Sequence, residues 1–295
     1  MSTGGSKLRV LAQRLRVTRP LIREAFAEGL GTFVLVLFGC GSVAQMVFRG
    51  PGVPFLSVNL AFGLAVTMGC YIAGGVSGAH LNPAVSLAMV VLGRLTLLKM
   101  LVYWVAQLVG AFLGAAMVFL IYLDAEKKHS KPWSMETAGI YATYPGPHLS
   151  TGGGFFDQVM GTAALLLCIL ALLDKKNSAP PDGVTPLIVG LVVTVIGMAM
   201  GHNCGYAINP ARDLGPRLFT LIAGWGRPVF THRNYWFWVP ITAPFLGGVL
   251  GALTYVLFVE LHHPSSSDSG TNTKEDTEKH YDLRKFDSHA AETVA

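Results

Sequence analysis

Long apolar stretches alternate with short polar or glycine-rich segments along most of this chain. Each apolar stretch is long enough to cross a bilayer, because a helix of about twenty residues spans the hydrocarbon core. The pattern therefore predicts an all-α fold with six membrane-spanning helices. The predicted spans lie near residues 25–47, 55–73, 100–123, 154–173, 184–202 and 236–260.

The composition agrees with a membrane protein. Hydrophobic residues make up 52% of the chain and charged residues only 13%, with a mean hydropathy of +0.48. A typical soluble domain has about 25% charged residues. The cysteines are scattered through apolar stretches without paired or metal-ligand spacing, so free thiols, and no metal or cofactor, are expected. They are Cys40, Cys70, Cys168 and Cys204.

The charge distribution predicts how the chain is inserted. Residues 1–23 carry basic side chains and no acidic one, which places this segment in the cytoplasm by the positive-inside rule. An even number of spans returns the C-terminus to the same side. A basic cluster is also found in nucleic-acid-binding proteins, but beside a first span it indicates topology, so no nucleic-acid partner is expected. The basic residues are Lys7, Arg9, Arg14, Arg16, Arg19 and Arg23.

One short motif occurs twice in the chain. Asn82-Pro83-Ala84 begins four residues after Gly78, and Asn209-Pro210-Ala211 begins four residues after Gly205. Asn is a preferred N-cap, and Pro is tolerated at the first helical position because its missing N–H would have no helical partner there. Each motif therefore predicts the start of a helix. A single copy would indicate only an ordinary capped helix, so a functional interpretation depends on the pair.

Further matches indicate an internal duplication. The two motifs are 127 residues apart, and Gly63–Thr67 is matched at the same offset by Gly190–Thr194. A third pair, Gly110–Gly114 and Gly247–Gly251, is offset by 137 residues and has the spacing that lets membrane helices approach closely. Because each copy holds three spans, the second copy must be inverted relative to the first.

The inverted duplication predicts a pore. Short helices over 82–93 and 209–221 would approach the membrane midplane from opposite faces, and the segments before them, 74–80 and 201–205, are predicted to be non-helical. Irregular backbone at membrane depth is tolerated only where it is buried in protein or lines a water-filled cavity. A pore accounts for both segments and for two helix caps placed at mid-membrane.

These features resemble the aquaporin (major intrinsic protein) family over about residues 21–261. The resemblance rests on both motifs, on Ala27–Thr32 and on Ser77–His80. The segment Asn209–Arg217, in which Asp213 follows Arg212, is similar to the aquaglyceroporin branch. The resemblance implies six tilted helices and two half-helices in an inverted 3+3 repeat, one pore per subunit, a homotetramer and a location in the plasma membrane.

The resemblance also implies a selectivity filter and the residues around it. Water-selective members carry a histidine where this chain has Gly197, so the pore wall is expected to be more open here. Pro240-Ile241 in the sixth span likewise resembles the glycerol-conducting branch. Gln158 stands where the second repeat often carries a counterpart of Glu28, and a neutral hydrogen-bonding substitute is expected there. By position relative to the motifs, the filter residues are Phe62, Gly197, Tyr206 and Arg212.

The implied function is a passive channel for water, glycerol, and urea or other small neutral solutes. A polyol has an apolar edge and a row of hydroxyls, so Phe62 and Tyr206 would supply an apolar wall and Arg212 hydrogen-bond donors. Asn82 and Asn209 would donate to a passing oxygen and interrupt a proton-conducting chain of water. The positive N-termini of the half-helices, together with Arg212, would oppose cations.

Four further polar residues are candidates for supporting roles. His80 is interpreted either as a structural hydrogen-bonding residue or as a pH-sensitive group at the cytoplasmic mouth, since imidazole titrates near physiological pH. His202 could act similarly at the outer mouth. Asp213 and Arg217 are expected to brace the outer loop.

Other functional classes account less well for these features. A water-selective channel is the nearest alternative, followed by a secondary transporter of small polyols, since inverted repeats and broken helices are common in transporters. A coupled transporter would need carboxylates near the midplane, where only Glu28 and Asp157 are candidates. The sequence has no HExxH motif or cluster of catalytic side chains, so no enzyme is expected. An ion channel would favour acidic rings or carbonyl filters over a central Arg212.

The predicted domain organisation follows from the same features. The tail has the composition of a disordered segment, rich in serine and mixed charge. The segments are a cytoplasmic basic N-terminus (1–23), a channel domain (24–261) made of repeat one (about 24–123), an extracellular loop (124–153) and repeat two (about 154–261), and a cytoplasmic tail (262–295).

Overall fold

The computed structural model describes residues 3–181 and 183–264, and within them the regular structure is helical. Six of the helices are long and apolar enough to cross a membrane, which confirms the predicted number of spans. The predicted disorder beyond Pro264 falls outside the described residues. The helices are α1 (Thr3–Leu15), α2 (Pro20–Arg49), α3 (Phe55–Ser77), α4 (Pro83–Val91), α5 (Leu97–Lys128), α6 (Met135–Ala138), α7 (Thr151–Leu173), α8 (Thr185–Cys204), α9 (Pro210–Ile222), α10 (Pro228–Tyr235, broken at its C-terminal end) and α11 (Val239–Phe258).

The irregular segments at membrane depth are shorter than predicted. Helix α3 continues to Ser77 and α8 to Cys204, so most of 74–80 and all but the last residue of 201–205 are helical. Each helix ends at a glycine with positive φ, 87° at Gly78 and 73° at Gly205. A glycine in the helical conformation does not end a helix, whereas a glycine in the left-handed conformation does. The helices therefore continue through the earlier glycines of both segments.

The two repeats pack as inverted copies of each other. Helix α2 lies against α5 and α3, its counterpart α7 lies against α11 and α8, and α3 crosses α8 at the centre. The half-helices are exchanged between the repeats, since α4 packs against α11 and α9 packs against α5. This exchange joins the two halves into one body and directs both half-helices toward the centre.

The repeated glycine pairs mark close backbone contacts, as predicted. A Cβ added to Gly110 would lie 2.1 Å from the carbonyl oxygen of Gly29, and one added to its counterpart Gly247 would lie 2.3 Å from that of Val159. These distances leave no room for a side chain. The equivalent contact in both repeats shows that the α2–α5 and α7–α11 pairs depend on small residues, as membrane helix interfaces commonly do.

Candidate functional site

The two repeated motifs meet and bond to each other at the centre of the protein. The side-chain amide of Asn82 donates to the carbonyl oxygen of Ile208, and that of Asn209 donates to the carbonyl oxygen of Leu81, each at 2.8 Å. The side-chain oxygens act as caps: Oδ1 of Asn82 accepts from the N–H of Ala84, and Oδ1 of Asn209 accepts from the first turn of α9. Each asparagine therefore fixes its own half-helix and the opposite loop.

The loops before the motifs share an unusual backbone conformation. Three positions with positive φ, at residues 78, 79 and 81, recur at residues 205, 206 and 208, an offset of 127 in every case. Four of these six residues are not glycine: Ala79, Leu81, Tyr206 and Ile208. Left-handed backbone is costly for such side chains and persists where the surrounding structure requires it, which is typical of functional sites.

An elongated cavity of about 400 Å³ runs past both motifs. It extends from Arg212 and the neighbouring aromatic side chains to the end of α7 at Leu173 and the start of α8 at Thr185. The polar lining groups include Asn82, Asn209, His80 and the two loops, and most of the other lining side chains are aliphatic. The aliphatic residues include Leu35, Val66, Val85, Met89, Leu165, Ile169, Val189 and Val193.

The four predicted filter residues lie close together, and three of them, Phe62, Tyr206 and Arg212, line this cavity. The rings of Phe62 and Tyr206 are 6.2 Å apart and nearly perpendicular, and the guanidinium carbon of Arg212 lies 4.7 Å from the centre of the Phe62 ring. Gly197 lies behind Tyr206, because a Cβ placed on it would be 2.6 Å from the tyrosine Cζ. Their roles in selectivity remain predictions, but one charged and two aromatic side chains form a narrow boundary here.

Arg212 is held in position by two contacts that the sequence did not reveal. Its Nη1 donates to the carbonyl oxygen of Tyr141 at 2.8 Å, and its side chain lies over Phe62. The Phe62 ring in turn fills the space beside Gly39, where an added Cβ would come within 2.2 Å of the ring. A backbone carbonyl has no signature in a sequence, and Gly39 is one of many helix glycines, so neither could be identified from the pattern.

The Glu28 side chain organises the first loop. Its Oε1 accepts hydrogen bonds from the Ser77 hydroxyl and the His80 backbone N–H, and its Oε2 accepts from the N–H of Leu81 and the Gln107 side-chain amide, at 2.6–2.9 Å. Four donors compensate a fully buried carboxylate. Glu28 therefore fixes the backbone that lines the cavity.

Gln158 occupies the matching position in the second repeat. Its Oε1 accepts from the N–H of Ile208 at 2.9 Å, which corresponds by the repeat offset to the bond between Glu28 and Leu81. Its Nε2 lies 3.0 Å from the sulfur of Cys204. A neutral side chain thus performs the same backbone contact. The nearby carboxylate of Asp157 is bonded to Asn203 at 2.7 Å.

The two candidate histidines lie in different surroundings. His80 lines the cavity, with its Nδ1 3.0 Å from the Ser86 hydroxyl and its ring edge against Tyr103 at 5.3 Å. His202, in the last turn of α8, is exposed and stacks on His148 with 5.0 Å between ring centres. His80 alone of the two is in contact with the cavity.

Asp213 and Arg217 form a buried ion pair that does not line the cavity. Oδ2 of Asp213 accepts from both the N–H and the hydroxyl of Thr143, and Oδ1 accepts from Nε of Arg217 at 2.9 Å. Arg217 also donates to the carbonyl oxygens of Thr143 and Val229. These hydrogen bonds connect α9 to the loop at Thr143 and to α10 at Val229, and both side chains are buried.

The chain matches known proteins over most of its length. The family model for "Major intrinsic protein" matches residues 16–255. Aquaporin-9 of Homo sapiens is 45% identical over 287 residues, covering 95% of this chain and 97% of that protein. Aquaporin-10 of Milnesium tardigradum is 48% identical over 270 residues, covering 85% of this chain and 66% of that longer protein.

A solved structure has the same fold. The aquaglyceroporin from Plasmodium falciparum superposes with a TM-score of 0.74 at 37% sequence identity, covering 80% of this chain and 95% of that one. At this identity and coverage, the likeness extends to the arrangement of six long helices and two half-helices.

Proposed function

Because this chain belongs to the major intrinsic protein family, we propose that it is a passive channel for water and glycerol. The observation that carries the proposal is the cavity that passes both Asn-Pro-Ala motifs and ends at Arg212 between two aromatic rings. A member of this family is a channel and not an enzyme, and the relatives include an aquaglyceroporin. The proposal extends to urea and other small neutral solutes of similar size.

The cavity suits a polyol because its lining combines apolar and hydrogen-bonding groups. Its aliphatic side chains would contact the carbons of the solute, while Asn82, Asn209 and the loops offer hydrogen-bonding groups to the hydroxyls. At the filter, Phe62 and Tyr206 contact the carbons and Arg212 donates to the hydroxyls. The hydrogen bonds offset desolvation of the solute without binding it tightly, as conduction requires.

Exclusion of ions and protons is proposed from the same groups. The N-terminus of each half-helix carries roughly half a positive charge, and Arg212 adds a full one at the narrow end. Each central asparagine amide uses one N–H to bond the opposite loop, which leaves its second N–H for a passing oxygen. Two fixed donors orient water molecules so that a continuous proton-conducting chain is broken.

The remaining features of the proposal rest on the family. We propose a homotetramer with one pore in each subunit, located in the plasma membrane with both termini in the cytoplasm. The excess of basic residues over residues 1–23 supports this orientation. Water, glycerol and urea are the proposed permeants.

The function is tested by stopped-flow light scattering on proteoliposomes that contain the purified protein. Both water and glycerol permeability are expected to exceed those of empty vesicles, with no increase in proton leakage. Vesicles that gain water permeability alone would indicate the water-selective channel, and uptake that requires an ion gradient would indicate a transporter. A matched control uses protein inactivated by heat before reconstitution.

His80 provides a separate prediction about regulation. Its ring contacts the cavity and Ser86, and its backbone N–H donates to the carboxylate of Glu28. Protonation would add a charge beside the cavity and make both ring nitrogens donors. If this controls conduction, glycerol flux will change as the pH falls and the ring becomes protonated, and His80→Ala will flatten the curve. A flux curve unaltered by His80→Ala would remove the idea, with His202→Ala as the control.

A further inference from the structure

Two buried oxygen atoms beside the filter lack hydrogen-bond partners among the described residues. They are Oδ1 of Asn59 and the hydroxyl oxygen of Tyr206. Both side chains are almost completely buried, at 3% and 6% exposure. Buried polar atoms are nearly always paired, because leaving one unpaired costs about 1–3 kcal/mol. Two unpaired atoms in one place therefore call for a common explanation.

The two oxygens face the same small space. A Cβ placed on Gly197 would lie 2.7 Å from Oδ1 of Asn59 and 2.9 Å from the hydroxyl oxygen of Tyr206. Because Gly197 has no side chain, Asn59 and the Tyr206 hydroxyl can approach each other at this position. A hydroxyl can donate and a side-chain carbonyl can accept, so the two atoms are chemically complementary.

The aromatic rings around Tyr206 contact only its ring, so the hydroxyl is the group that can fix the side chain by a hydrogen bond. Phe55 and Phe62 contact the tyrosine ring edge to face at 6.3 and 6.2 Å. Asn59 lies between them on α3, one turn from each, so the three side chains project from one face of that helix. The phenylalanines restrain the ring through apolar contacts, which have little directional preference. A hydrogen bond at the hydroxyl would fix its orientation.

We propose that Asn59 is a positioning residue of the filter, whose side-chain carbonyl accepts a hydrogen bond from the Tyr206 hydroxyl, directly or through one bridging water. The inference rests on the proposed function, because its consequence is selectivity. A fixed Tyr206 keeps the filter wide enough for a polyol. A released ring would move away from Gly197 toward the cavity and narrow the passage for glycerol more than for water. On this account Gly197 also makes room for the bond.

A double-mutant cycle tests the pair. Asn59→Leu removes the acceptor at similar volume, and Tyr206→Phe removes a single oxygen from the partner. Each variant is expected to lower the ratio of glycerol to water permeability about three- to tenfold, the scale of one net hydrogen bond. The double variant is expected to match the single ones, because only one interaction is lost. Ser57→Ala on the same helix, whose hydroxyl bonds only to Pro54, is the control and should leave the ratio unchanged.

The cycle also separates this inference from the proposed function. The pairing would be overturned if Asn59→Leu left the ratio of glycerol to water permeability unaltered. It would also be overturned if the effects of the two single substitutions on this ratio multiplied in the double variant. A structural role alone would lower thermal stability without changing the permeability ratio. If the wild type passes no glycerol, the proposed function fails. The hydrogen bond between Asn59 and Tyr206 is then tested by thermal unfolding of the wild type, the two single variants and the double variant. Non-additive shifts in Tm then support the bond, and additive shifts refute it.

Discussion

Gly197→His combined with Tyr206→Cys is expected to stop glycerol permeation while water permeation continues. The added imidazole would fill the space beside the filter and present a polar group to the pore, which narrows it to the width of a water molecule. Glycerol permeability should fall at least tenfold, corresponding to about 1.4 kcal/mol or more of additional barrier. Stopped-flow light scattering on proteoliposomes measures both permeabilities on the same preparation.

The structure shows why the two substitutions must be made together. Any side chain at Gly197 begins 2.6 Å from the Tyr206 ring and 2.7 Å from Asn59. Gly197→His alone would displace the tyrosine and disturb the fold around it, whereas Tyr206→Cys opens the required space. Tyr206→Cys alone is the matched control and should still pass glycerol. A double variant that conducts glycerol as well as the wild type would refute the assignment of these residues to the filter.

Asp213→Ala is expected to produce the largest loss of stability. It removes the carboxylate that compensates Arg217, a side chain with no exposed surface, and also leaves the N–H and hydroxyl of Thr143 without their acceptor. Removing one partner of a buried ion pair costs about 3–5 kcal/mol. The protein should therefore lose most of its folded population, measured by thermal unfolding in detergent and by size-exclusion chromatography.

An exposed ion pair in the same chain provides the control. Arg94 and Glu260 form a bond of 2.6 Å, but their side chains are 39% and 35% exposed. Glu260→Ala should therefore change stability by no more than about 1 kcal/mol. If Asp213→Ala unfolds at the same temperature as the wild type and Glu260→Ala, the buried ion pair does not hold the region around the filter.

The sequence alone was sufficient for the architecture and for the positions of the two motifs. Six spans, the inverted duplication and two capped half-helices follow from local properties: the length of an apolar run, the parity of the spans, and the preference of Asn-Pro for helix starts. The grouping of Phe62, Gly197, Tyr206 and Arg212 was predicted by resemblance, and the structure brings these residues together. The match of Gln158 to Glu28 was likewise predicted by resemblance, and in the structure both side chains accept from the equivalent backbone N–H.

Only the tertiary structure decided how these parts bond to one another. The reciprocal bonds of Asn82 and Asn209, the carbonyl of Tyr141 that holds Arg212, and the approach of Asn59 to Tyr206 join residues far apart in the chain. It also decided that α3 and α8 continue as helices to Gly78 and Gly205. Backbone carbonyls have no residue signature, because any residue supplies one. The left-handed conformations of Ala79, Leu81, Tyr206 and Ile208 have none either, because the surrounding packing selects their backbone angles. The helices were therefore predictable from local sequence, whereas the lining of the pore was determined by contacts between the two repeats.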